Sequence, residues 1–176
     1  RLADETFTER AAGVRDTDPR VRLLTNFSGH QDDNALSRRV ALAEIDAGAD
    51  VIFTMLNAGR DGVTEACRAR GTRQIGNVID WVARDAQVFV GSAIADVSQA
   101  VFGAVRDLQR GLPVSGRIQR IGLDEADAVR LSMAPDVPPA ARERVARATA
   151  GLRSGSLRVP EAYDGPEFGR ASCRER

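Results

Sequence analysis

The sequence predicts an α/β layer fold, with a largely parallel sheet and helices on both faces. Two observations predict it. Short apolar runs that read as strands alternate with stretches whose apolar residues recur at helical spacing. Glycine and aspartate stand at the junctions, where turns and helix caps call for them.

Residues 4–14 read as a short helix, closed by the breaker Asp16-Thr17-Asp18-Pro19. Residues 21–26 are the first strand candidate. Asp33 is the expected N-cap of a helix that carries Leu36, Val40, Ala43 and Ala47 and stops at Gly48. Residues 51–56 form a near-continuous apolar run, the mark of a strand buried on both faces. A helix over 61–70 stops at Gly71, and residues 74–79 and 88–92 are the next two strands. Val97, Ala100, Val101, Ala104, Val105 and Leu108 make the clearest apolar helix face in the chain. Residues 117–123 read as a further strand, and 139–153 as a last helix carrying Val145, Ala148 and Leu152.

Recurring strand, loop and helix place ligand-facing loops beyond the carboxyl ends of the strands. The loops at 26–33, 57–60, 77–81 and 92–96 are therefore expected on one rim. His30, Gln31, Asn57, Gly59, Arg60, Asn77, Asp80 and Ser92 are the candidate ligand-binding residues they carry.

With 176 residues, 43% of them hydrophobic, the chain is long and apolar enough for a packed core. Its 25 basic residues balance its 25 acidic ones, so no field over the whole chain favours nucleic acid or an anionic membrane. Every basic residue is arginine, which fits a high-GC genome and leaves no lysine ammonium to fix a ligand. Cys67 and Cys173 form no metal spacing and no disulfide framework, and Cys67 reads as a packing residue on a buried helix side. No initiator methionine, signal peptide or bilayer-length apolar run is present, and the chain reads as truncated upstream.

Catalytic signatures are absent: no dinucleotide fingerprint, P-loop, nucleophile elbow or zincin motif occurs. With His30 the single histidine, a His-based metal site or Ser-His triad has little to draw on. No cofactor or metal is expected, and no enzyme activity. Gly59-Arg60-Asp61-Gly62 is either an anion site at a helix N-terminus or a tight turn with a favourably placed Asp. Asp80 either accepts hydrogen bonds from ligand hydroxyls or caps a turn. Trp81 either stacks on a ligand ring or packs beneath a loop. Asn77 donates and accepts, which suits a neutral polar ligand.

From about residue 7 to 160 the order of these elements resembles the second lobe of the basic membrane protein (BMP) family, exported solute-binding lipoproteins that include purine-nucleoside receptors. The resemblance is carried by Asp46-Ala47-Gly48-Ala49-Asp50-Val51-Ile52-Phe53, by Gly59 to Val63, and by Ile75-Gly76. It continues through Ser92 and the helix over 96–108, Ile121-Gly122-Leu123, and Ser154-Gly155-Ser156-Leu157-Arg158-Val159-Pro160. It implies a type I periplasmic-binding-protein lobe over residues 21–160, preceded by a helix in residues 1–20. It also implies a small polar solute as ligand, nucleosides included, and a membrane ABC permease as partner, with no nucleic acid. The location it implies is periplasmic or lipoprotein-anchored. In such receptors two lobes close about a hinge. The alternative function is the ligand-sensing effector domain of a regulatory protein.

Three departures bear on the ligand. Gln31, beside His30, stands where nucleoside-binding members carry an aromatic stacker. Val78 stands where they carry a carboxylate, and Ala95 where they carry a lysine. A stacking platform and a charge-assisted donor are thereby lost, which points away from a purine nucleoside. Residues 161–176 match no part of the family. They resemble a translated sequencing adapter and read as a non-domain tail that includes Cys173.

Overall fold

The computed structural model describes residues 13–112, 115–116 and 118–159. The predicted helix over 4–14 lies outside these residues except at its end, where 13–17 are helical. Position 117, Pro160 and the tail with Cys173 also lie outside them.

The elements are α1 (Asn34–Asp46), β1 (Val51–Phe53), α2 (Arg60–Arg70), β2 (Arg73–Val78), β3 (Phe89–Ala95), α3 (Val97–Gln109), β4 (Val129–Met133) and α4 (Pro139–Ser154). They form a mixed α/β fold whose open sheet is largely parallel and flanked by helices, with the strands in the order β1-β2-β3-β4. By its internal contacts the chain divides into two compact units. The first runs to Thr72 and resumes at Gly155, and the second is Arg73–Ser154.

In the first unit, the Asp33 side chain accepts from the Leu36 N–H and starts α1. Helices α1 and α2 pack closely because Gly62 has no side chain. A Cβ there would clash with the Asn34 carbonyl oxygen and lie 2.6 Å from Ser37 Oγ. Gly71, at φ 69°, closes α2 in the left-handed cap that glycine favours. The core of this unit includes Ala41, Ile52, Val63, Ala66 and Cys67. Burial pushes the Cys67 thiol up to about 11, aided by the charge of Glu44. Cys67 is thus the packing residue its position predicts.

In the second unit, β2 and β3 are parallel, with Gly76 opposite Ser92 and Val78 opposite Ile94. β3 and β4 are antiparallel, with Ser92 opposite Ser132. Asp96 caps α3 by accepting from the Ser98 N–H.

Three expectations are corrected. Residues 21–26 form no strand. Their polar side chains instead serve the end of α1, Arg22 Nη2 donating to the Ala47 carbonyl and Asn26 Nδ2 to Glu44 Oε1. The strand expected over 51–56 ends at Phe53, where Thr54 and the Leu56 carbonyl turn to the Arg60 guanidinium. Residues 118–122 are irregular, and Ile118 is 89% exposed. The last strand is β4 instead, where Val129, Leu131 and Met133 alternate with Arg130 and Ser132. The helix with the clear apolar face forms as α3, and that face is exposed at Val97, Val101, Val105 and Leu108, with only Gly103 buried in the helix.

Candidate functional site

The first unit gathers five of the candidate residues around one loop pair. The Gln31 carbonyl accepts from the N–H groups of Asn57 (3.1 Å) and Gly59 (3.0 Å). Asp32 Oδ1 accepts from the Ala58 N–H at 3.1 Å, so three successive amides of the 57–59 loop are tied to the 31–32 loop. A Cβ on Gly59 would lie 2.7 Å from the Gln31 oxygen, so this approach requires glycine. His30 Nδ1 accepts from the Asp32 N–H at 3.2 Å, and the Ser28 hydroxyl donates to the His30 carbonyl. The side chains of His30, Gln31 and Asn57 remain exposed.

Arg60 turns inward. It is 5% exposed, and its guanidinium donates to Thr54 Oγ1 at 2.9 Å and to the Leu56 carbonyl at 3.0 Å. It braces the segment before the loop. The helix start at 59–62 is engaged within the protein. The Arg60 N–H donates to the Asn57 carbonyl and the Gly62 N–H to Asn34 Oδ1, while Ser37 Oγ donates to the Gly59 carbonyl. That pattern is the tight-turn alternative.

The second unit holds Asn77, Asp80 and Ser92 around the carboxyl end of β2. The Asn77 carbonyl accepts from the Ile79 N–H and from Trp81 Nε1, both at 2.9 Å. The first of these bonds closes a three-residue turn over Val78, whose φ of 72° is the one positive value on a non-glycine among the described residues. Ser92 is fully buried, and its hydroxyl donates to the Ile79 carbonyl at 2.7 Å. Trp81 stacks on Phe89 with centroids 5.4 Å apart, and the Arg84 guanidinium lies 5.0 Å above its ring. Trp81 therefore packs beneath its loop.

Asp80 is half-buried. Its Oδ1 accepts from Ser132 Oγ at 2.8 Å and from the Ala83 N–H at 3.1 Å. The Ser132 bond, then those of the backbone, hold the carboxyl below its ordinary range against the opposing effect of burial, with Arg130 adding to the lowering. Asp80 is thus an ionised, fixed acceptor at neutral pH.

Reading the sequence missed Ser132, Asp32 and Asn34. The alternation in Val129-Arg130-Leu131-Ser132-Met133 was the available signal for the first. No local signal marks the other two, because their partners lie 26 and 28 residues away. Among the described residues no group of three or more His, Cys, Asp or Glu is placed to hold a metal, and no helix is long and apolar enough to cross a membrane.

Several solved structures share this fold. A transcriptional activator of the comK gene from Bacillus halodurans aligns at TM-score 0.65 and 20% identity, over 73% of this chain and 45% of that one. An ABC transporter solute-binding protein from Conexibacter woesei aligns at 0.66 and 22%, over 86% and 50%. One from Aeropyrum pernix aligns at 0.65 and 21%, over 89% and 52%. The chain thus spans about half the length of each. Comparison with curated proteins gave no match. The family model Bmp, ABC transporter substrate-binding protein PnrA-like, matches residues 4–148. That match covers most of the 176 residues, and the chain belongs to this family of substrate-binding proteins.

Proposed function

We propose that the chain is part of the solute-binding component of an ABC importer, delivering a small polar solute to a membrane permease. The observation that carries this reading is the family match over residues 4–148. The likeness in fold to two solute-binding proteins supports it. The family resemblance supports a periplasmic or lipoprotein-anchored location. Partners are the solute and the permease, and nucleic acid is not among them.

Asn77 and Asp80 are the polar contacts in the second unit, and His30, Gln31 and Asn57 are the exposed polar groups in the first. Gly59, Arg60 and Ser92 serve by holding their loops in place, since Gly59 has no side chain and those of Arg60 and Ser92 are engaged within the protein. A neutral hydrogen-bonding solute fits this set best. An ionised carboxylate and side-chain amides match hydroxyl and amide groups, while Trp81 is already engaged by Phe89 and Arg84. Nucleosides remain in the class through their hydroxyls.

A thermal-shift screen against nucleosides, sugars, vitamins and amino-acid derivatives tests the reading. A solute that binds the folded state alone raises the melting temperature by mass action. Asp80→Ala and Asn77→Ala should abolish that shift. An unchanged shift in both variants would overturn the site, and no shift from any compound would overturn the function.

The likeness to a transcriptional activator favours a second reading, a ligand-sensing regulatory domain on the same fold. It also binds a solute. The two readings part at the partner, which is a permease for one and the transcription machinery for the other.

A further inference from the structure

We propose that Ser132 is a positioning residue that aims the Asp80 carboxylate at a hydroxyl group of the solute. The inference rests on the solute-binding reading above and narrows it to hydroxylated solutes.

Ser132 sits in the middle of β4, opposite Ser92, so the sheet fixes its backbone. Its hydroxyl reaches a residue 52 positions away in sequence, at the carboxyl end of β2, where ligands of α/β sheets bind. The Ser132 and Ala83 bonds to Asp80 both fall on Oδ1, and the Val82 N–H also reaches the carboxylate. A carboxylate offers about four acceptor sites, so it keeps capacity for a further donor. The other polar groups of the turn are directed inward. Ser92 Oγ is spent on the Ile79 carbonyl and Trp81 Nε1 on the Asn77 carbonyl.

Charge decides which donor fits. Arg130 lies two residues before Ser132 on β4 and already acts on Asp80, while Arg84 covers Trp81 on the turn itself. These guanidinium groups oppose a cationic ligand at the same carboxylate, and a neutral hydroxyl incurs no such repulsion.

The bond also keeps Asp80 ionised, which gives the test its signature. Asp80 is held below its ordinary value, with Ser132 as the largest cause, so the acceptor is present at neutral pH and is lost as pH falls through the depressed value. Ser132→Ala raises that value and moves the loss to higher pH.

The experiment is titration calorimetry of the whole chain with inosine, 9-ethylhypoxanthine (which has no hydroxyl), D-ribose and D-galactose between pH 4 and 8. The expected result is that Ser132→Ala weakens binding of the hydroxylated probes about tenfold at pH 7, the worth of a hydrogen bond to a charged group. Its acid limb shifts upward, Ser132→Thr restores both, and 9-ethylhypoxanthine is indifferent. Ser132→Cys, which keeps the side-chain shape and weakens the donor, supplies the same comparison if Ser132→Ala does not fold. Wild-type affinity and an unchanged acid limb in the variants, or an equal loss for 9-ethylhypoxanthine, would overturn the role of Ser132. If the wild-type chain binds no member of the broad solute panel, the solute-binding reading fails first. If it binds only solutes without hydroxyls, this inference fails alone.

Discussion

Val78 concentrates the tension at the residue scale. A β-branched side chain at φ 72° crowds its own backbone, a conformation that costs on the order of 1–3 kcal/mol. Its neighbours impose it. The Ile79 N–H and Trp81 Nε1 converge on the Asn77 carbonyl, and Ser92 holds the Ile79 carbonyl from within the sheet. Gly76 admits the indole, since a Cβ there would lie 2.5 Å from Trp81 Cδ1. The valine side chain is 50% exposed, so its removal loses little packing. Val78→Gly should therefore raise stability by about 1 kcal/mol, the relieved strain exceeding glycine's entropy cost in the unfolded chain. The urea midpoint reads the effect. A midpoint at or below that of the wild type would mean that the turn accommodates valine without strain.

At the scale of elements, the tightest joint lies between α1 and α2. Gly62 places the backbone of α2 against the Asn34 carbonyl, and its N–H is taken by Asn34 Oδ1 at 2.8 Å. One methyl group at this position forces the helices apart, and Gly62→Ala should cost about 3 kcal/mol, at the upper end of overpacking. Chemical denaturation should show the loss without a change in slope, and an intact midpoint would mean that the helices slide freely. This joint also shows what the sequence made legible. Asp33, Gly48 and Gly71 announce the ends of α1 and α2 because caps obey local rules. Nothing local in Gly62 announces a contact with a residue 28 positions earlier. Residues 21–26 and 129–133 show the same limit from the other side. Val21-Arg22-Leu23-Leu24 is apolar enough for a strand, yet Arg22 and Asn26 are drawn to the end of α1. Val129 to Met133 alternates apolar and polar residues in sequence, and its pairing with β3 decides its state. The candidate site divides in the same way. Asp80 stands just beyond β2, where the strand–loop pattern put it, while Asn77 lies within β2 and is buried, and Ser132 entered through a pairing that no spacing rule encodes.

At the scale of the molecule, the carboxylates set an acid limit to stability. Asp33, Asp80, Asp96 and Asp136 all titrate below their ordinary range in the folded state. Their causes, in order, are the Leu36 N–H, the Ser132 hydroxyl, the Ser98 side chain and Arg73. A depressed folded value means that the unfolded chain takes up protons first. The stability these groups contribute is present above the ordinary carboxylate value of about 4, and it is lost as pH falls through the depressed values. Glu44 works in the opposite sense. Burial raises its value, the Asn26 amide only partly offsetting this, so its charged form weakens the fold at neutral pH and the penalty lifts on acidification. Two measurements separate these contributions. The melting temperature of the wild-type chain should fall steadily below about pH 4. Glu44→Gln, which keeps an acceptor for Asn26, should melt above the wild type at pH 7 and level with it at pH 3. An advantage that persists at pH 3 would assign the gain to packing. A variant no more stable than the wild type at pH 7 would mean that Glu44 is already relieved of its charge, or reaches water, in the native fold.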